Sequence, residues 1–351
     1  MNRVIPLLTA AVVGASLLSA CADTSDGASS GEAETVVVGG YPAEYEEVFM
    51  DVIAKPFTEK TGIKVEYSSG PSASEYYAQT RASRGEPGWD VAVGTQFEVF
   101  QGAKDGLLAP VTEKEVPNLA GMPDVLREAT HGVGIIQDVQ YVAMMYSKKA
   151  FPEAPTSWEA MWDPKYRSGA LIFNPANLVG VFQLLIAAKL EGGGAEDIDP
   201  GFKRITELAK YAAGTPTASA EAVPFMDQGT ATAFPYLDGR AAIYAATTDY
   251  DYTLPEEGSF ASLGTLSIPS GAANKEAAYE LMNFWLDPEV QRAWAEAYNV
   301  GPAVTGLEFD PEFAEKHVTT PEKLEQLELI DPQSLADNRS DWSQRWAEAV
   351  Q

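Results

Sequence analysis

The sequence predicts an α/β protein built on a parallel sheet with right-handed crossovers. Three observations lead there. Short apolar strands alternate with amphipathic helices from residue 35 onward, each strand closes in Gly or polar turn residues, and the roughly 330 residues after position 21 exceed what one core organises. No internal repeat occurs, and no single linker divides the body.

At the start of the chain, Arg3 and the apolar run Val4–Leu18 read as a secretory signal, too short to span a bilayer comfortably. The run closes in Leu18-Ser19-Ala20-Cys21, which resembles a bacterial lipobox and implies cleavage before a lipidated Cys21. The alternative is a plain secretory signal cut at Ala20. Residues 1–21 are thus the expected signal, and 22–34, rich in Ser, Gly, Ala, Asp and Glu, a flexible tether. Thr35–Gly39 reads as a buried strand, Tyr45–Lys60 as a helix that Pro56 bends or divides, and Ile63–Tyr67 as a second strand. Ser74–Arg84 is helical, Trp89–Val93 a third strand and Phe97–Asp105 a helix. Further on, Tyr141–Tyr146 and Ala170–Phe173 read as strands and Trp158–Trp162 as a short helix. Helices are expected over 178–190, 202–212, 275–286 and 288–298, and Asp249–Tyr252 reads as a solvated loop.

Composition excludes several functions. Acids outnumber bases by 51 to 24, a net charge of −27 that repels phosphate backbones and removes nucleic acid as a partner. One cysteine cannot form an intramolecular disulfide framework. His131 and His317 lie far apart with no second histidine at ligand spacing, so neither a metal nor a cofactor is expected. No Gly-x-Ser-x-Gly occurs, and no catalytic residue is assigned; a carboxylate-based hydrolase is a distant alternative.

In open α/β sheets a ligand sits beyond the carboxyl ends of the strands. Three loops fall there: Gly40–Tyr45, Gly94–Phe97 and Asn174–Asn177. Each joins small residues, which let backbone approach a ligand, to aromatic, hydroxyl or amide groups that can contact one.

Five segments, in order, resemble the extracellular solute-binding proteins of ABC importers, in the branch that includes spermidine/putrescine binders. They are EKTGIKVEY at 59–67, WDVAVGTQFEVFQGAKDGLLAPV at 89–111 and TSWEAMWDPKYRSGALIF at 156–173. The others are the return segment at 254–291 and the tail at 320–350. The resemblance implies a two-lobed periplasmic-binding-protein type II fold with two crossing segments and a ligand in the interlobe cleft. It sets the crossings near 137–140 and 254–259, with lobe 1 as 35–137 plus 260–302 and lobe 2 as 138–259 plus 303–351. It also implies an exported monomer, held at the outer face of the cell membrane through Cys21 or free in the periplasm, that hands a small solute to permease subunits.

By the same resemblance, Tyr41 and Tyr45 fall near the first-loop aromatics, Thr95 and Phe97 match a hydroxyl and an aromatic position, and Tyr236 matches another aromatic. Gln96, Asn174 and Asn177 join them from the ligand-facing loops. The pattern's acids are lost: its acidic pair becomes Asn177 and Gly180, and the Trp and Asp of its return strand become Ser262 and Gly264. Asp238 and Arg240, beside Tyr236, suit a zwitterion or else contact each other within a turn. The expected ligand is a small amine-containing, polyamine-like solute held by Asp238. A zwitterionic amino-carboxylate, an organic acid, a phosphonate and an iron ligand are the alternatives. If Cys21 is lipidated, Cys21→Ser releases the protein from membranes on fractionation; equal membrane retention of the variant overturns the lipoprotein assignment.

Overall fold

The computed structural model describes residues 34–70 and 72–350. The expected signal, Cys21 and the tether up to residue 33 lie outside the described residues. Among the described residues no helix is long and apolar enough to cross a membrane.

Nine strands build one sheet: β1 (Thr35–Gly40), β2 (Lys64–Ser69), β3 (Val91–Thr95), β4 (Gly134–Ser147), β5 (Ala233–Leu237), β6 (Tyr250–Thr253), β7 (Ser259–Ser267), β8 (Gly301–Pro302) and β9 (Leu327–Glu328). The main order is β2-β1-β3-β7-β4-β5, with β6 and β8 also paired to β4 and β9 to β7. β1 pairs in parallel with β2 and β3, as expected from alternating strands and helices. Beyond β3 the main path of the sheet is antiparallel. β7 returns against β3, and β4 runs antiparallel to β5, β6, β7 and β8, while the two-residue β9 adds to β7 in parallel. The predicted parallel arrangement therefore holds for β1 to β3 and does not extend along the main path, because no crossover helix delivers β7 to its place in the direction of β3.

The first helical stretch shows how the chain accommodates Pro56. A proline inside an α-helix removes one hydrogen bond and pushes on the preceding turn. Here Glu44–Phe49 is α-helical, Met50–Ala54 widens into a π-helix, and Lys55–Thr61 resumes with Pro56 in its first turn. The helix is widened rather than divided. It ends at Gly62 with φ +80°, the left-handed cap that glycine adopts without strain.

β4 is longer than its apolar stretch predicts. The polar run Gln137–Gln140 interrupts the hydrophobic pattern, yet the strand continues through it for fourteen residues. Its register on β7 shifts between Ile136 and Asp138. Beyond that irregularity its side chains divide by alternation. Tyr141, Ala143 and Met145 join the larger buried cluster, whereas Val142, Met144 and Tyr146 join the second.

In the larger cluster, Phe49 stacks on Trp285 at 5.4 Å and Phe57 meets Phe284 at 5.5 Å. The second is organised by the helix Leu178–Lys189, whose residues from Val179 to Ala188 are all buried, so it is apolar all round. Trp158, Trp342 and Trp346 pack there.

Two local expectations are corrected. Ala170–Phe173 is no strand but an extended segment with one bridge, Leu171 to Gly214, because its backbone partner is itself irregular. Asp249–Tyr252 is not a solvated loop: it supplies β6, whose alternation buries Tyr250 and Tyr252 and turns Asp251 out to Lys316. His317 is also buried, 3% exposed.

Buried amides fasten these layers. Gln291 Nε2 donates to the carbonyls of Gln137 and Trp285 at 3.1 Å each, and its Oε1 accepts from the Ala303 amide at 2.7 Å. Truncation opens a cavity and leaves these groups unpaired. Gln291→Ala is expected to cost on the order of 2–4 kcal/mol, read as a lower urea midpoint at unchanged slope. An unshifted midpoint shows that water replaces the amide without penalty.

Candidate ligand-binding site

A cavity of about 710 Å³ opens at the carboxyl ends of β1 and β3, where the parallel strands meet the antiparallel ones. Gln137, Asp138 and Gln140 of β4 and Ser262, Leu263 and Gly264 of β7 supply its floor. One wall carries Tyr41, Glu44, Tyr45, Thr95, Phe97, Glu98 and Tyr298. The other carries Asn177, Leu178, Leu237, Gly239, Arg240, Ile243 and Arg339.

The aromatic wall is interlocked. Tyr45 meets both Tyr41 and Tyr298 edge-on at 5.3 Å, and Tyr298 stacks on Trp294 at 5.0 Å. The Tyr45 hydroxyl donates to Gln137 Oε1 at 2.7 Å, and Tyr67 donates to the Tyr41 carbonyl at 2.6 Å. Burial pushes the phenols of Tyr41, Tyr45 and Tyr298 up, so all three stay neutral. They offer π faces to a cation.

Thr95 caps the helix Gln96–Lys104 in a box with Glu98, whose carboxylate accepts from the Thr95 amide at 3.1 Å and from the Ser74 hydroxyl at 3.1 Å. Asn177 caps the helix Leu178–Lys189 through the Val179 amide at 2.9 Å. Capping and lining are compatible here, because both helices point their first turns at the cavity.

Of the residues expected from sequence, Tyr41, Tyr45, Thr95, Phe97, Asn177 and Arg240 line this one cavity. Four do not. Gln96 turns away and clips its helix to β7, accepting from the Leu263 amide at 3.0 Å and donating to the Ala261 carbonyl. Asn174 folds onto the Ala176 amide at 2.8 Å, closing a local turn. Tyr236 is fully buried, and its hydroxyl donates to the Ser219 carbonyl. Asp238, the expected ammonium partner, is also fully buried: it accepts from the Tyr141 amide at 3.0 Å and lies 3.1 Å from His317 Nδ1. Burial lifts its carboxyl above the ordinary value, and the His317 contact opposes that shift. The alternative turn contact is absent too: among the described residues Asp238 and Arg240 form no ion pair.

The carboxylate at the floor is Asp138, which sequence reasoning passed over. It is 1% exposed, receives a hydrogen bond from Gln140 Nε2 at 3.2 Å, and sits opposite Gly264 in the β4–β7 ladder. A Cβ on Gly264 falls 2.7 Å from both carboxylate oxygens. The space vacated by the return-strand acid of the resembled pattern is thus filled by an acid from the neighbouring strand. A signal existed, in the lone polar run inside an apolar strand. Tyr298, at a helix end, and Arg339, on the helix Pro332–Ala349, gave none. Arg339 is anchored by one guanidinium N–H on the Ala176 carbonyl at 2.5 Å.

Comparison with known proteins gives the family and the fold. Residues 52–320 match the family described as bacterial extracellular solute-binding protein. The spermidine/putrescine-binding periplasmic protein of Escherichia coli is 25% identical over 253 residues, 70% of this chain and 71% of that one. Iron uptake protein A1 of Synechocystis is 25% identical over 317 residues, 84% of each. An ABC transporter substrate-binding protein structure from Bradyrhizobium japonicum superposes with a TM-score of 0.77 at 22% identity, covering 91% of this chain and all of that one. The two-lobed fold expected from sequence is therefore the fold of this chain.

Burial raises the Asp138 carboxyl to about 7, with the Gln140 hydrogen bond opposing. A carboxyl whose folded value exceeds its unfolded value stabilises the protein most below the unfolded value, near 4. That stability is lost as pH rises through about 7. Native protein is expected to lose up to a few kcal/mol between about pH 4 and 7 relative to Asp138→Asn, at 1.36 kcal/mol per unit. Urea unfolding of both across this range checks it; parallel curves exclude a perturbed Asp138.

Proposed function

We propose, starting from the fact that this chain belongs to the bacterial extracellular solute-binding protein family, that it captures a small amine-bearing solute and delivers it to the permease of an ABC importer. The observation that carries the ligand class is Asp138, a carboxylate at the cavity floor beside neutral tyrosine faces. An ammonium placed there gains a charge-assisted hydrogen bond and aromatic contact together. In this reading the anchor is Asp138, not Asp238. The protein works exported and held through a lipid on Cys21.

The lobes we propose are 35–137 with 260–302 and 138–259 with 303–351. Closure of one lobe on the other completes contacts from both walls only when solute is present, and that difference is what a permease reads. Catalysis has no place in the proposal. An organic acid would leave the Asp138 carboxylate facing like charge, which favours the amine over that alternative.

Two outcomes test this. Amines such as putrescine and 4-aminobutyrate are expected to raise the melting temperature by mass action, and Asp138→Asn to weaken that amine about 10- to 100-fold, the value of a hydrogen bond to a charged group. Because the ammonium favours ionised Asp138, native affinity is expected to rise with pH up to about 7 and then level off, while the variant stays flat. Small-angle scattering at saturation is expected to show compaction. Binding that ignores Asp138 removes the amine assignment, and an unchanged radius of gyration removes the hinge.

A further inference from the structure

The cavity is electrically divided. Its acids, Glu44, Glu98 and Asp138, come from the loops after β1 and β3 and from the floor. Its two bases, Arg240 and Arg339, come from other elements, the helices Asp238–Thr247 and Pro332–Ala349. We infer that the solute is a linear zwitterion, an amino-carboxylate whose amine meets Asp138 and whose carboxylate is gripped by Arg240 and Arg339. The inference rests on the amine reading above and adds the second end of the ligand.

The arginines carry it. Among the described residues Arg240 and Arg339 have no ion-pair partner within 4 Å, as Arg84, Arg167 and Arg292 also have none, but of these five only Arg240 and Arg339 line the cavity. Arg339 commits one N–H to Ala176 and keeps the rest of its planar fork for a carboxylate. Arg240 lines the same cavity as Tyr298, and its charge opposes the upward shift of that phenol. The helix Asp238–Thr247 reinforces this, since Leu237 gives it no side-chain cap and Gly239 and Arg240 line the cavity. A diamine brings its second ammonium against two guanidiniums; an amino-carboxylate satisfies both walls.

The test is calorimetry of the native protein with four probes: 4-aminobutyrate, 6-aminohexanoate, putrescine and succinate. At least one amino-carboxylate is expected to bind tenfold or more tightly than putrescine. In Arg240→Gln/Arg339→Gln that preference is expected to fall below threefold, the melting temperature of the unliganded variant reporting its folding. If the variant does not fold, the ranking on native protein decides. Putrescine binding more tightly than both amino-carboxylates, and weakened by Asp138→Asn, overturns the zwitterion and leaves the amine reading intact. Succinate binding when no amine binds overturns both. No binding of linear ω-amino acids of three to six carbons overturns the inference.

Discussion

Everything in this molecule hangs on one strand. β4 runs for fourteen residues from the edge of the parallel strands to the antiparallel end, and it pairs with β5, β6, β7 and β8. Side-chain direction in a strand has period two, so a slip by one residue exchanges its two faces. Beyond Tyr141 such a slip exchanges Ala143 and Met145 for Val142, Met144 and Tyr146, and both buried clusters fail together. The shift between Ile136 and Asp138 is the one irregularity in its ladder with β7, and it sits where the cavity needs a carboxylate. β-irregularities of this kind re-aim side chains at functional sites.

Polar residues inside the protein divide into clips and contacts. Gln96, Asp238 and Gln291 are buried, with hydrogen bonds to backbone groups of strands or crossing segments, and they fix walls without facing solute. Asp138 is as buried as they are, but it lines the cavity. That distinction separates structural carboxylates from binding ones. Asp238 carries a protein amide and His317 against its oxygens, so a ligand finds nothing to pair with.

Much of the fold was legible because local signals agreed with the tertiary outcome. Apolar runs ended by glycine gave β1 to β3, and the helix Pro288–Tyr298 begins and ends where its pattern says. The loops after β1 and β3 reached the cavity because strand ends converge there whatever the side chains do. Side-chain direction was not legible. Asp238 and Arg240 lie two residues apart on one helix turn, yet one is fully buried and the other lines the cavity. Spacing alone does not say which way the helix faces. Long-range contributions were equally hidden: Arg339 reaches the cavity by the packing of a distant helix against the loop at Ala176. β6 was missed because Asp and Tyr in alternation resemble a loop until a neighbour buries the tyrosines.

The pairing of Asp138 with Gly264 bears on how ligands are assigned among related proteins. Aligned columns compare residues by chain position, and set against the pattern this chain resembles, Gly264 stands where an acid is expected. In space the charge has moved sideways by one rung, from one strand of a ladder to its partner, and the missing Cβ made room for it. An acid on both rungs would crowd two charges together, and in the proposed amine reading an acid on neither would leave the ammonium uncompensated. In that reading two such substitutions preserve a charge while erasing its trace from the column. Specificity inferred from aligned positions is then blind to swaps between paired strands, and cross-strand neighbours must be compared as a pair.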